Sequence, residues 1–264
     1  MHRFFLSVLL ILTGAGSAAA GGPVLYTSAA ASVLVCGGSM MNGDQFADAV
    51  LPVMRAHYAG CRKIALVLHA SHPADRDRME ARLQKAFAHL GVPAAESLHR
   101  HDDAGAKALL AGVDGIFVGG GETFVLLGEL YRTGQLELIR QRVLAGVPYG
   151  GVSAGANVAG LLIGTTNDFP VVEIPSRLAL GIFPAVINPH HPAPEAKADY
   201  DGRVGKIKIY LKFNPTETVF GLGNASIVRL HGGRVTFETG LGWLYHAGSV
   251  RPLVPGDQVP ELTK

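Results

Sequence analysis

Ser153 lies in the run Tyr149-Gly150-Gly151-Val152-Ser153-Ala154-Gly155-Ala156-Asn157. Residues 151–155 fit Gly-x-Ser-x-Gly, placed between an apolar strand-like run and a helical segment beginning near Ala156. A serine nucleophile needs that setting. On a sharp strand-to-helix turn it takes strained φ/ψ, and the flanking glycines relieve the crowding. The hydroxyl then stands clear of the sheet, while the N–H of Ala154 faces a substrate oxygen and the helix N-terminus favours an oxyanion. An ordinary glycine-rich turn or a phosphate-binding loop would also fit these residues.

A second glycine-rich junction is Val118-Gly119-Gly120-Gly121-Glu122-Thr123-Phe124. Its backbone can approach a ligand closely, and N–H groups there can complete an oxyanion hole. Nucleotide binding is the weaker reading, because Phe124 stands where a G-x-G-x-x-G loop begun at Gly119 needs glycine and no Walker lysine follows. A serine hydroxyl is a poor nucleophile at neutral pH and requires a base. Ile187-Asn188-Pro189-His190-His191 closes an apolar run from Phe183, so His190 is the preferred base, emerging at a sheet edge. Adjacent histidines do not share a side-chain direction, and no third ligand follows at metal-like spacing. Neither a metal nor an organic cofactor is expected.

These residues need a scaffold of alternating elements. Strand-like runs are Ser32–Cys36, Lys63–Ala70, Ala94–Leu98, Gly115–Gly119 and Val147–Val152. Between them helical patterns cover Asp44–Tyr58 behind the Asn42-Gly43 turn, Ala74–Leu90, Ala104–Leu110, and Thr123–Ala145 with a break at Gly134. In the second helix Met79, Leu83, Ala86 and Leu90 form one apolar face. Such alternation implies right-handed βαβ crossovers, hence an α/β fold with a mostly parallel sheet and helices on both faces. Thr218–Leu222, Ser226–Leu230, Arg234–Glu238 and Trp243–Tyr245 read instead as short strands of a C-terminal antiparallel extension, with a hairpin at His231-Gly232-Gly233.

Composition narrows the class. Of 264 residues, 48% are hydrophobic and 17% charged, enough for a large core and against a disordered chain. A net charge of +2 without a basic run argues against nucleic-acid binding. Residues 1–20 read as a secretory signal: His2 and Arg3, an apolar stretch Phe4–Leu12, then Ala18-Ala19-Ala20 before Gly21. The apolar run is shorter than the ~20 residues that span a bilayer. The expectation is an exported protein, periplasmic or secreted, with no membrane attachment after processing. Export would permit a disulfide between Cys36 and Cys61, but on neighbouring parallel strands they would lie at opposite ends, so two free thiols are expected.

Taken together, GGGETF (119–124), GGVSAGAN (150–157), TTNDFP (165–170) and INPHH (187–191) resemble the peptidase E family, serine dipeptidases that remove an N-terminal aspartate, with cyanophycinases as relatives. The resemblance runs from about Leu34 to Ala247. It implies the class I glutamine-amidotransferase-like three-layer architecture, with a lead-in at 21–31, a peptidase E-like domain at 32–250 and a tail at 251–264. By position, Ser153 matches the nucleophile, His190 the base, and Gly121 and Ala154 the oxyanion-hole donors. Arg203 falls where the family places an arginine on the substrate's aspartyl carboxylate, a role a guanidinium fork suits. A solvated helix charge is the plainer reading of Arg203.

Two positions depart from the family pattern. Its third triad member is a glutamate, and here Asn224 stands there, in Gly221-Leu222-Gly223-Asn224-Ala225. Asn can orient an imidazole but cannot stabilise imidazolium with a full charge, and losing the charged partner of a serine triad costs about 10⁴ in turnover. Either Asn224 suffices, Asp168 takes the role, or activity is impaired. Glu122 replaces an asparagine after the three glycines; it could meet a substrate ammonium or cap the helix from Thr123.

The implied activity is hydrolysis of small peptides with an acidic N-terminal residue, through an acyl-enzyme on Ser153, by a chain that could pair as a homodimer. Three rivals stand beside it. One is a cyanophycinase-like β-aspartyl-arginine peptidase. Another is an α/β-hydrolase esterase using the order Ser153, Asp168, His190. The third is a pseudoenzyme that binds acidic peptides.

Overall fold

The computed structural model describes residues 23–262, so the expected signal segment at 1–20 lies outside the described residues. In chain order the elements are β1 (Ser32–Cys36), β2 (Met41–Asn42), β3 (Gln45–Phe46), α1 (Leu51–His57), β4 (Lys63–Val67), α2 (Arg76–Leu90) and β5 (Ala94–Ser97). Next come α3 (Asp103–Gly112), β6 (Gly115–Val118), α4 (Thr123–Thr133), α5 (Gln135–Leu144), β7 (Tyr149–Val152) and α6 (Ala154–Ala159). The rest is β8 (Val186–Asn188), α7 (Lys197–Phe213), β9 (Val219–Leu222), β10 (Ile227–His231), β11 (Arg234–Thr239), β12 (Gly242–His246) and β13 (Ser249–Leu253).

The main sheet has seven strands in the order β11-β10-β1-β7-β6-β4-β5. From β1 to β5 the pairs are parallel, and β10 and β11 add antiparallel at the other edge. Side chains on successive strand residues point to opposite faces. Val33, Val35, Ala65, Val67, Ile116 and Val118 therefore join one core with α3 to α6. Leu34, Cys36, Ile64, Leu66 and Phe117 join the other with α1 and α2. Burial on both faces is why these strands read as unbroken apolar runs.

The C-terminal strands β9 to β13 pair antiparallel with one another as expected, divided between two sheets. β9, β12 and β13 combine with β8 in a separate four-stranded sheet, β13-β12-β9-β8, on which α7 packs through Ile207. The domain also runs past the expected end at 250. β13 pairs with β12, and Leu253, Val259 and Leu262 are buried in the main core, so 251–262 is no free tail.

Two local expectations change. The helix expected over Asp44–Tyr58 is instead the β2–β3 hairpin around Asn42-Gly43, followed by α1. Pro52 explains this: inside a helix its ring would clash with the carbonyl four residues earlier, so the helix starts just before it. Cys36 and Cys61 are free and buried, but β1 and β4 are not neighbours, since β7 and β6 lie between them. By contrast, Gly134 does break the long helical pattern, adopting φ 68° between α4 and α5.

Beside β8, His191 is buried, stacked on Trp243 with ring centroids 4.2 Å apart. Its Nδ1 lies 2.9 Å from the Pro192 carbonyl oxygen, which can only accept, so the proton sits on Nδ1 and Nε2 accepts from the Tyr245 hydroxyl at 2.7 Å. Burial lowers its pKa to about 4, leaving it neutral at pH 7. The unfolded chain binds a proton below about 6.5 that the folded one refuses, so stability is full above that pH and falls as pH drops from 6.5 towards 4. His57, lowered by burial to about 3, acts in the same direction. Urea unfolding between pH 6 and 4.5 should show His191→Phe with a slope shallower than wild type by about 1.4 kcal/mol per pH unit.

Candidate active site

β7 enters α6 through Ser153, whose φ of 55° and ψ of −110° are strained for a residue bearing a Cβ. The glycines around it are required by contact. A Cβ at Gly151 would lie 2.6 Å from the Gly155 carbonyl carbon, and one at Gly155 would lie 2.9 Å from that of Val118. Ser153 donates its N–H to the Cys36 carbonyl at 3.1 Å. Ala154 opens α6, in the first turn where backbone donors lack an intrahelical acceptor.

His190 follows β8 and is exposed, with φ 52°. Its N–H donates to the Gly37 carbonyl at 3.0 Å, and its ring lies over Gly38, where a Cβ would sit 2.6 Å from Nδ1. Ser153 Oγ is 2.9 Å from His190 Nε2, and His190 Nδ1 is 2.6 Å from Asn224 Oδ1. With Oδ1 as acceptor the imidazole proton is on Nδ1, which leaves the Nε2 lone pair for the serine hydroxyl. Asn224 is held in turn by its neighbour: Ala225, with φ 51°, donates its N–H to the Gly38 carbonyl at 2.7 Å.

The Gly119–Gly121 loop lies against Ser153. A Cβ at Gly120 would be 3.0 Å from that of Ser153, and Gly121 has φ 133° with its Cα packed on the Ala70 carbonyl. Asp168 does not approach the imidazole. Its Oδ2 accepts from the N–H of Thr123 at 2.8 Å, and from the hydroxyls of Thr123 and Thr166. It thus serves the start of α4, the capping place considered for Glu122, and the Ser153–Asp168–His190 esterase arrangement falls away. Glu122 makes no side-chain capping bond. Partial desolvation and then the Asp168 charge raise its pKa above the ordinary carboxylate value.

Arg203, on α7, is half-buried beside the loop that carries His190. Its Nη1 donates to Asn188 Oδ1 at 2.9 Å, to the Pro189 carbonyl at 3.2 Å and to the His190 carbonyl at 3.3 Å. No carboxylate among the described residues forms an ion pair with it, and burial lowers its pKa from the usual guanidinium value. It is anchored to the loop that carries His190, and Asp199 acts on its charge from beyond ion-pair distance. The group among the described residues spaced for a metal, Asp77, Glu80 and His99, lies elsewhere, and Arg100 pairs with both carboxylates at 3.0 and 2.6 Å.

Two parts of the site escaped sequence reasoning. Gly37-Gly38, directly after β1, repeats the strand-then-glycine signal of 119–121 and could have been found that way. The buried Asn157, whose Nδ2 donates to Thr123 Oγ1 at 3.2 Å and to Thr166 Oγ1 at 3.3 Å, carried no signal beyond its motif.

The fold and site define an α/β protein with a serine at a nucleophile elbow, an imidazole in contact with it, and a neutral amide behind the imidazole. Residues 33–237 match the model of peptidase family S51, and the chain belongs to that family of peptidases. It is 33% identical to peptidase E of Streptomyces coelicolor over 235 residues, covering 88% of this chain and 94% of that one. With peptidase E of Shewanella amazonensis it shares 39% over 165 residues, 61% of this chain and 70% of the other. A peptidase structure from an acI-B1 Actinobacterium superposes with a TM-score of 0.67 at 16% identity, over 87% of this chain and 96% of that one.

Gly38→Ala should displace the imidazole while leaving the cores untouched. Misplacing a catalytic group by about 1 Å costs about 100-fold. Peptidase kcat should fall by at least about that factor with the near-UV circular dichroism unchanged; retained turnover would show that the ring does not depend on this contact.

Proposed function

We propose that this chain is an exported serine dipeptidase that cleaves peptides after an N-terminal aspartate. The contact that carries the reading is Ser153 Oγ to His190 Nε2 at 2.9 Å, with Asn224 Oδ1 on the far nitrogen at 2.6 Å. His190 Nε2 takes the hydroxyl proton as Ser153 Oγ bonds to the aspartyl carbonyl carbon. The resulting oxyanion is held by the N–H groups of Gly121 and Ala154. Protonated His190 then gives its proton to the leaving amine as the C–N bond breaks. Water, activated by the same imidazole, hydrolyses the acyl-enzyme.

Arg203 reads the aspartyl side chain. A half-buried guanidinium with no carboxylate in direct contact favours a carboxylate ligand. Glu122, at the opposite loop, is suited to the substrate ammonium. Asn224 retains the correct tautomer but supplies no charge to the imidazolium, which favours slower acylation than a carboxylate would give. The same amide is what favours the alternative of an acidic-peptide binder, and a β-aspartyl-arginine substrate would use the same machinery.

A serine-directed fluorophosphonate probe distinguishes enzyme from binder: labelling of the wild type, absent in Ser153→Ala, is expected. Ser153→Ala should lose about 10⁴-fold or more in kcat on Asp-Leu, and Asn224→Asp should gain about tenfold or more in kcat/KM. The Asp-Leu over Asn-Leu preference should collapse in Arg203→Met, and Asp-Leu should exceed β-Asp-Arg. Peptide binding without labelling, or Asp-Leu turnover by Ser153→Ala at the wild-type rate, sinks the proposal. Native protein whose N-terminus is Met1 would refute export.

A further inference from the structure

Asn157 lies one turn into α6, four residues after Ser153, and is buried. Its Nδ2 is 3.2 Å from Thr123 Oγ1 and 3.3 Å from Thr166 Oγ1. Thr123, wholly buried at the start of α4, gives its single hydroxyl proton to Asp168 Oδ2. Towards every other group its oxygen can therefore only accept, and it does so from the Asn157 amide and from Thr166 Oγ1 at 3.1 Å. The network thus has one polarity, from amide to hydroxyl to carboxylate. Asn157 Oδ1, by contrast, is buried with no hydrogen-bond partner among the described residues. A buried carbonyl left in that state costs stability, so packing alone would favour an apolar residue here.

We infer that Asn157 is a positioning residue whose amide sets the spacing between the two oxyanion donors, the N–H groups of Gly121 and Ala154. The inference rests on the assignment of those two donors in the proposed mechanism. Thr123 stands two residues past Gly121, and Asn157 three past Ala154. Their contact therefore ties the segment that carries one donor to the segment that carries the other. The two segments have little slack, since a Cβ at Gly120 would lie 3.0 Å from that of Ser153.

Through Thr166 the tie continues to the base. Its neighbours Thr165 and Asn167 donate to the Ile187 and Pro189 carbonyls, each at 2.8 Å, on the segment that leads into His190. One amide thus joins the nucleophile helix, the glycine loop and the approach to the imidazole. The oxyanion donors act on a charge that exists only after Ser153 has attacked, so loss of the amide falls on kcat rather than on KM.

Asn157→Ala should lower kcat on Asp-Leu about 100-fold, with KM within about twofold of wild type and near-UV circular dichroism unchanged. Thr123→Val, which removes the acceptor, should do the same, and the double variant should lose little more than either alone. Polarity supplies the sharper test. Asn157→Asp keeps the size but sets a second carboxylate against one hydroxyl proton, and kcat should fall about as far. Adding Asp168→Asn reverses the network, so that Thr123 donates to residue 157 and accepts from residue 168, and about tenfold or more of the loss should return. Fluorophosphonate labelling rates should follow the same order, and they require no aspartyl substrate. A wild type that labels but leaves Asp-Leu intact therefore strikes the substrate assignment, while the labelling series still decides the role of Asn157. Wild-type kcat and labelling in Asn157→Ala, a loss confined to KM, additive costs, or a swapped variant no better than Asn157→Asp would overturn the inference. A wild type that neither labels nor turns over would remove the oxyanion site and the inference with it.

Discussion

Three consecutive carbonyls at the end of β1 hold the site together. Cys36 accepts from the N–H of Ser153, Gly37 from that of His190, and Gly38 from that of Ala225, next to Asn224. The strand before them is buried on both faces, with Leu34, Val35 and Cys36 wholly inaccessible. Its neighbours in the sheet are β7, which delivers Ser153, and β10, which follows Asn224; Cys36 registers with Val152 on one side and Ile227 on the other. Segments far apart in the chain are thereby fixed to one rigid peptide unit each. A 2.9 Å contact between serine and imidazole needs that, because catalytic geometry tolerates only about half an ångström.

The same anchor accounts for the strain. Ser153, His190 and Ala225 all have positive φ near 50°, a region costly for residues with a side chain. Each of them spends its N–H on β1, and such ties, with the cores behind them, outweigh a cost of the order of 1–3 kcal/mol per residue. Gly37 and Gly38 allow the approach: a side chain at the first would meet Leu222 and Gly223, and at the second the imidazole.

Charge is distributed sparingly around this frame. Asp168 is engaged with Thr123 and Thr166, so it steadies the Gly119–Gly121 loop through the start of α4. The imidazole is backed by an amide. Arg203 has no carboxylate in direct contact among the described residues and is tied to Asn188 and to the Pro189 and His190 carbonyls, so that any carboxylate it binds is coupled through one side chain to the position of His190.

Much of this was legible in the residues because it is local chemistry. Gly-x-Ser-x-Gly between a strand and a helix points to a sharp turn, Gly134 falls where the helical pattern breaks, and continuous apolar runs announce central strands. What the chain does with distant partners was not legible. The order of strands separated the two cysteines, and the choice of Asn224 over Asp168 behind the imidazole came from which loop the end of β1 could reach. Side-chain type sets what a residue can do and short-range sterics set its backbone; only the packing of segments dozens or hundreds of positions apart decides which groups touch, because those contacts depend on the whole core at once.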